Sequence, residues 1–193
     1  MHLSYDLLTI GHSNLTADRF IGLLKNAGLN AIADVRSVPF SRWCPWFSAK
    51  ALTQRLGEEG ISYIALGDAL GGRPRDPKLY REGVADYEAM AARVEFATGL
   101  ARVVDASARQ RVCLLCAEGE PLDCHRCLLV GRALAEHGLS VGHIRADGTV
   151  EPHAATEERL LAIGGADLFR DRRENLAEAY RRAARAVAAR LKG

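Results

Sequence analysis

The residues best suited to chemistry lie in one run, Cys116-Ala-Glu-Gly-Glu-Pro-Leu-Asp-Cys-His-Arg126. Cys116 closes an apolar stretch, and Cys124-His125-Arg126 opens a segment of helical period. Backbone N–H groups at a helix start favour anions and lower the pKa of a thiol placed there. Cys124 is therefore a candidate thiolate, acting as nucleophile or redox partner with Cys116. His125 and Glu118 are candidate proton carriers near neutral pH. Arg126 is suited to hold a carboxylate or phosphate.

Two other chemistries compete for these residues. The spacing Cys113-x-x-Cys116-x7-Cys124-x-x-Cys127 resembles a zinc pattern. Side chains alternate along a strand, so Cys113 and Cys116 should face opposite ways, which argues against convergence of all four. A smaller set of Cys116, Cys124 and His125 fits better, although no metal is assigned on spacing alone. A cysteine at a strand exit, then a loop and a helix, is also the layout of cysteine phosphatases and sulfurtransferases. Phosphatase loops carry an arginine six residues after the cysteine. Here that residue is Leu122, and Glu118, Glu120 and Asp123 would repel a phosphate. No Gly-x-Gly-x-x-Gly or Walker pattern occurs, and no motif implies a cofactor.

Groups like these must be positioned by a scaffold. Short apolar runs at 7–10, 31–35, 61–66, 112–116 and 141–144 read as strands, separated by segments of helical period. Thr16 can cap a helix carrying Phe20, Leu23, Leu24 and Ala27, with Gly28 as its stop. Ser48 can cap a second helix carrying Leu52 and Leu56. A long helix is predicted over 84–108, another over 124–137, and the chain after Ala154 reads as helical. Strands alternating with helices predict an α/β fold: an open, mostly parallel five-stranded sheet with helices on both faces, plus a helical C-terminal extension. Residues 1–153 form the α/β domain, and residues 154–193 the extension packed on it.

In open sheets of this kind ligands sit beyond the carboxyl ends of the strands. His12 and Ser13 follow the first strand, and Asp34, Arg36, Ser41 and Arg42 follow the second. Gly67, Asp68, Gly71 and Gly72 follow the third, and Arg145 and Asp147 the fifth. His12, Ser13, Asp34, Arg36, Ser41, Arg42 and Arg126 are accordingly the predicted substrate-binding residues, and Cys116, Glu118, Cys124 and His125 the predicted catalytic ones. Asp34 and Arg36 also read as an ion pair closing the sheet edge. Trp43, Trp46 and Phe47 beside Arg42 read either as a stacking platform for a base or as a local apolar lid.

The 193 residues are 48% hydrophobic and 26% charged, a globular composition. A net charge of +2 neither requires nor excludes nucleic acid. The segment 168–192 carries arginine on one side and alanine and leucine on the other. It reads first as an amphipathic packing helix and second as a phosphate-binding surface. No run approaches the roughly 18 apolar residues of a membrane helix, and the N-terminus lacks a signal-peptide pattern. Five cysteines, an odd number, argue against a secreted disulfide scaffold, so a cytoplasmic location with reduced thiols is expected.

Separated blocks in a fixed order carry a family resemblance. They are Thr9-Ile-Gly-His-Ser13, Asp34-Val-Arg-Ser-Val-Pro39 with Ser41-Arg42, Gly60-Ile-Ser-Tyr63 with Leu70-Gly-Gly72, Leu115-Cys-Ala-Glu118 with Cys124-His-Arg126, and His143-Ile144 with Asp147-Gly148 and His153. Over about Thr9 to His153 the chain resembles the uncharacterised bacterial and archaeal family catalogued as domain of unknown function 488. The resemblance implies no activity. It implies that His12, Asp34, Arg36, Cys116, Glu118, Cys124, His125 and Arg126 belong to a shared pattern, whereas Cys44, Cys113 and Cys127 are peculiar to this chain. The expected protein is an enzyme acting on an anionic small molecule or nucleotide. A nucleic-acid-binding module and a cysteine–histidine metal protein are the alternatives.

Overall fold

The computed structural model describes residues 5–165, 167 and 169–190. All five predicted strands are present and mutually parallel: β1 (Leu7–Gly11), β2 (Ala31–Asp34), β3 (Ser62–Ala65), β6 (Val112–Cys116) and β7 (Val141–Ile144). A sixth strand, β8 (Val150–Pro152), runs antiparallel to β7 after the predicted Asp147-Gly148 turn. The sheet order is β3-β2-β6-β1-β7-β8.

Alternation within the strands builds two cores, one on each face. Leu8, Ile10, Ile32, Cys113 and Leu115 pack with α1 (Ala17–Asn26) and α2 (Ala49–Glu58). Leu7, Ala33, Val35, Leu114 and Cys116 pack with the helices of the opposite face. Those are α3 (Gly67–Leu70), α5 (Val94–Ser107), a π-helical turn (Arg126–Gly131) running into α6 (Arg132–Glu136), α7 (His153–Gly164) and α8 (Arg172–Arg190). The chain leaves β1 toward one face and leaves β6, its neighbour, toward the other. That reversal opens a crevice at the carboxyl ends of these two strands.

Local signals set some of the element boundaries. Thr16 Oγ1 accepts from Arg19 N at 3.2 Å, and Gly28 stops α1 at φ +66°. Ser48 stands at the α2 N-cap, but its hydroxyl accepts from Ser41 N at 3.3 Å instead of capping.

The single helix predicted over 84–108 is a correction. Glu82 and Gly83 both take positive φ, the backbone of a tight hairpin turn, and join β4 (Tyr80–Arg81) to β5 (Val84–Ala85). Asp86 then caps α4 (Tyr87–Ala91), and α5 begins separately at Val94. Apolar periodicity continues through that break, so it was not visible in the pattern.

α7 and α8 cover the sheet with Leu160, Ala179, Tyr180, Val187 and Ala188, which join the same core as β6. The expected bounds Leu168 and Lys192 of the arginine-rich segment lie outside the described residues. Arg172, Arg181, Arg182, Arg185 and Arg190 each meet a carboxylate. Among the described residues no helix is long and apolar enough to cross a membrane.

Candidate functional site

Register brings the strand ends level. Gly11 lies opposite Cys116, and the ladder continues as His12 N donates to Cys116 O at 3.0 Å and Ser13 N to Ala117 O at 2.7 Å. A Cβ on Gly11 would lie 1.6 Å from Glu118 O, so only glycine lets the chain after β6 close over β1. A cleft of about 270 Å³ opens at this edge, with His12, Arg36, Cys116, Glu118 and His125 among its walls.

The four cysteines of the zinc-like spacing do not converge. Cys113 faces the α1/α2 core and Cys116 the other, as strand alternation requires. Instead Cys116, Glu118, Cys124 and His125 bring donor atoms within 4.8 Å of one another, while Cys127 groups with His143 and His153. Both the Cys116 and the Cys124 Sγ lie 3.1 Å from Glu118 Oε2. His125 Nε2 is 2.9 Å from Val35 O, a carbonyl that can only accept, so the ring donates there and turns Nδ1 inward. Nδ1 lies 3.6 Å from Cys116 Sγ and 4.0 Å from Cys124 Sγ.

Electrostatics separate the two thiols. Burial opposes ionisation of Cys124, but the hydrogen bond from Cys116 and the charges of Arg126 and His125 outweigh it and hold the thiol well below its usual range. The Arg126 backbone N–H also donates to Cys124 Sγ at 3.4 Å. Burial, then the hydrogen bond and charge of Cys124, push Cys116 up. Burial and the neighbouring Cys124 raise Glu118 as well. At His125 burial disfavours the charged form, yet bonding to Cys124 wins and raises it. The pair thus favours a Cys124 thiolate that shares the Cys116 proton.

Three arrangements hold this cluster in place. Arg126 is fully buried, donating through Nη1 to Glu118 O, through Nη2 to Gly119 O at 2.9 Å and through Nε to Thr9 Oγ1 at 3.3 Å. Expected as an anion holder, Arg126 is not among the residues lining the cleft, and its guanidinium is taken up by the loop carbonyls. Gly72 backs the His125 ring, since a Cβ there would stand 2.7 Å from His125 Cγ. Gly72→Ala is expected to displace the ring from Val35 O, costing about 1–3 kcal/mol of stability and slowing thiol alkylation; unfolding in urea and alkylation rates check both.

Glu120 provides the third arrangement, pairing with Arg145 at 2.7 Å and Arg159 at 3.0 Å and so tying the Cys116–Cys124 loop to β7 and α7. Burial opposes ionisation of Glu120, but the Arg145, Leu122 amide and Arg159 hydrogen bonds hold its carboxyl at about 2, below the ordinary 4.5. A depressed carboxyl contributes fully above its unfolded value and loses that contribution as pH falls toward 2. Glu120→Gln should therefore cost about 1–2 kcal/mol near neutrality, allowing for solvent screening. It should cost progressively less between pH 4.5 and 2, as acid titration of both proteins would record.

The remaining predicted residues divide. Asp34 and Arg36 form the buried ion pair, with Arg36 Nη2 2.6 Å from Asp34 Oδ2, and Tyr63 OH donates to the same oxygen at 2.7 Å. Arg36 Nη1 donates to His12 Nε2 at 3.3 Å, and His12 Nδ1 therefore donates to Ser13 O at 2.9 Å. Burial chiefly lowers His12 to about 4, so it is neutral. Its ring stacks on Phe47 at 4.3 Å.

Ser41 lines the cleft, whereas Ser13 and Arg42 are exposed outside its walls. Arg42 lies over Trp43, Phe47 is buried, and Trp46 donates to Leu15 O. Cys124 sits behind Cys116 with no exposed surface, making Cys116 the thiol that meets the cleft. Sequence reasoning missed Ser37, Arg73 and Phe40 as cleft residues and Tyr63 as the partner of Asp34. Gly71-Gly72, which was visible, signals the close approach that brings Arg73 there: Arg73 N donates to Ser37 Oγ at 2.8 Å.

No curated protein and no solved structure matches the chain. A family match covers residues 16–133, which includes β2, β6 and the whole Cys116–Arg126 run; the blocks at Thr9–Ser13 and His143–His153 lie outside it. On that match the chain belongs to the family described as Domain of unknown function DUF488.

Proposed function

We propose that the protein is an enzyme acting on an anionic small molecule or nucleotide in the cleft between β1 and β6, through the paired thiols Cys116 and Cys124. The observation that carries this reading is the meeting of both sulfurs on Glu118 Oε2, with His125 Nδ1 turned toward them, at the cleft wall. Cys116 is the nucleophile. As its sulfur bonds to an electrophilic atom of the substrate, its proton passes to Cys124, and a proton from His125 or Glu118 leaves with the departing group. Arg36 and Arg73 line the cleft and favour an anion, and the exposed Phe40 offers a face to a base. A working thiol pair needs a reducing compartment, so a cytoplasmic location belongs to the same proposal.

Alkylation at neutral pH followed by peptide mass mapping tests this. Cys116 should label before Cys44, Cys113 and Cys127, with the anionic reagent iodoacetate preferred over neutral iodoacetamide relative to a free thiol. Cys124→Ser should slow labelling of Cys116 by about tenfold. Uniform labelling of all five cysteines, or a rate indifferent to Cys124→Ser, would sink the proposal. A second reading has Cys116, Cys124 and His125 holding a zinc ion beside Glu118, supported by the spacing of their donor atoms. Elemental analysis of protein purified without chelator separates the two, since metal well below one per chain removes the second.

A further inference from the structure

Behind the cleft lies a second group that the proposed reaction does not use. Cys127, His143 and His153 are all buried and come from three different elements: the π-helical turn, β7 and the first residue of α7. Their donor atoms fall within 4.8 Å of one another, and His143 Nε2 lies 3.0 Å from His153 Nδ1. π-helical turns insert an extra residue into a helix and recur at functional sites. Here the turn carries Cys127.

The outer nitrogens of the two rings supply an independent observation. His143 Nδ1 is 2.8 Å from Thr9 Oγ1, and His153 Nε2 is 3.0 Å from the Tyr180 hydroxyl, which donates onward to Glu157 at 3.0 Å. Because Tyr180 gives its single proton to Glu157, it accepts from His153 Nε2–H. His153 Nδ1 is then a lone pair aimed at His143. Thr9 can likewise accept from His143 Nδ1–H, which frees His143 Nε2. Histidines that ligate metals characteristically donate the other ring N–H to an oxygen in this way, and both rings have that partner.

We propose that Cys127 Sγ, His143 Nε2 and His153 Nδ1 form a binding site for a thiophilic divalent ion of the zinc class. Sulfur plus two imidazoles is a set zinc accepts, with a fourth position left to a small ligand. On binding, the Cys127 S–H proton leaves to solvent, and the His143 ring proton moves from Nε2 to Nδ1 and is donated to Thr9. One ion thus displaces about one proton. It would fasten α7, and through Tyr180 also α8, to β7 and to the turn that follows His125. The inference stands apart from the proposed thiol chemistry.

Cobalt titration tests it with the full chain. In protein carrying Cys116→Ser and Cys124→Ser, Co2+ should raise a thiolate-to-cobalt charge-transfer band that saturates near one equivalent, and Zn2+ should raise the melting temperature. Adding Cys127→Ser should remove the band and the shift, while circular dichroism reports the fold. Should the Cys116→Ser/Cys124→Ser protein fail to fold, Cys127→Ser alone must bind about one cobalt fewer than the unaltered protein. A band that survives Cys127→Ser, or binding unchanged by it, overturns the site. So does the absence of any band while Cys127 is present.

Discussion

Arg126→Met is expected to destabilise the protein by about 3–5 kcal/mol, the range for removing one partner of a buried charged assembly. Methionine keeps much of the volume, so the loss is electrostatic and not a cavity effect. The guanidinium has no exposed surface and holds Glu118 O, Gly119 O and Thr9 Oγ1 at once. Without it the loop carbonyls lose their donors, and Cys124 loses the positive charge that helps hold its thiol down. Denaturant unfolding should show the stability loss, equivalent to roughly 10 °C in a chain of this size. Alkylation measured against pH should show the thiol pair ionising at higher pH, because Arg126 helps hold Cys124 down. A cost below about 1 kcal/mol, within the range of an exposed substitution, would contradict the assignment of Arg126 as the residue that positions the loop.

Asp34→Ala is expected to cost a similar amount, about 3–5 kcal/mol, because it leaves the Arg36 charge buried without its partner. Asp34 has 1% of its surface exposed and accepts from Arg36 Nε, Nη2 and backbone N, and from Tyr63 OH. Pairing Asp34→Ala with Arg36→Met removes both charges and should recover about 2 kcal/mol of that cost, a coupling typical of residues in direct contact. Such recovery identifies the ion pair as the cause. If the double variant is as unstable as the sum of the single ones, the pair is not coupled and the bonds to Tyr63 and the backbone carry the effect. Arg36→Met alone should also weaken the preference of the cleft for iodoacetate.

Much of the fold was legible because parallel strands buried on both faces are mostly apolar runs: Val112–Cys116 is wholly so, and Leu7–Ile10 and Val141–Ile144 are interrupted only by Thr9 and His143. Helix caps at Thr16 and Gly28 are equally local, since each is a property of one residue and its neighbours along the chain. The hairpin over 80–85 was not legible because each of its strands is two residues long, and Val84-Ala85 reads as the start of the helix expected over 84–108. Strand β8 escaped for the opposite reason. Val150-Glu-Pro152 is too short and too polar to read as a strand, and becomes one only through pairing with β7.

The candidate site divides along the same line. Sequence alone determined that thiols, an imidazole and a carboxylate would cluster at the exit of β6, because they lie within ten residues of one another at a strand-to-helix junction. It also determined that Cys113 would leave that cluster, since a strand alternates its side chains. Tertiary structure decided the roles that depend on distant partners. Arg126 turns inward because Thr9 and the Glu118–Gly119 carbonyls meet it there. Arg73 enters the cleft because Gly72 lies against His125, and Cys127 joins His143 and His153 instead of Cys116. Periodicity specifies which way a side chain faces from its own element. What it meets is set by strand register and helix docking between residues that are remote along the chain.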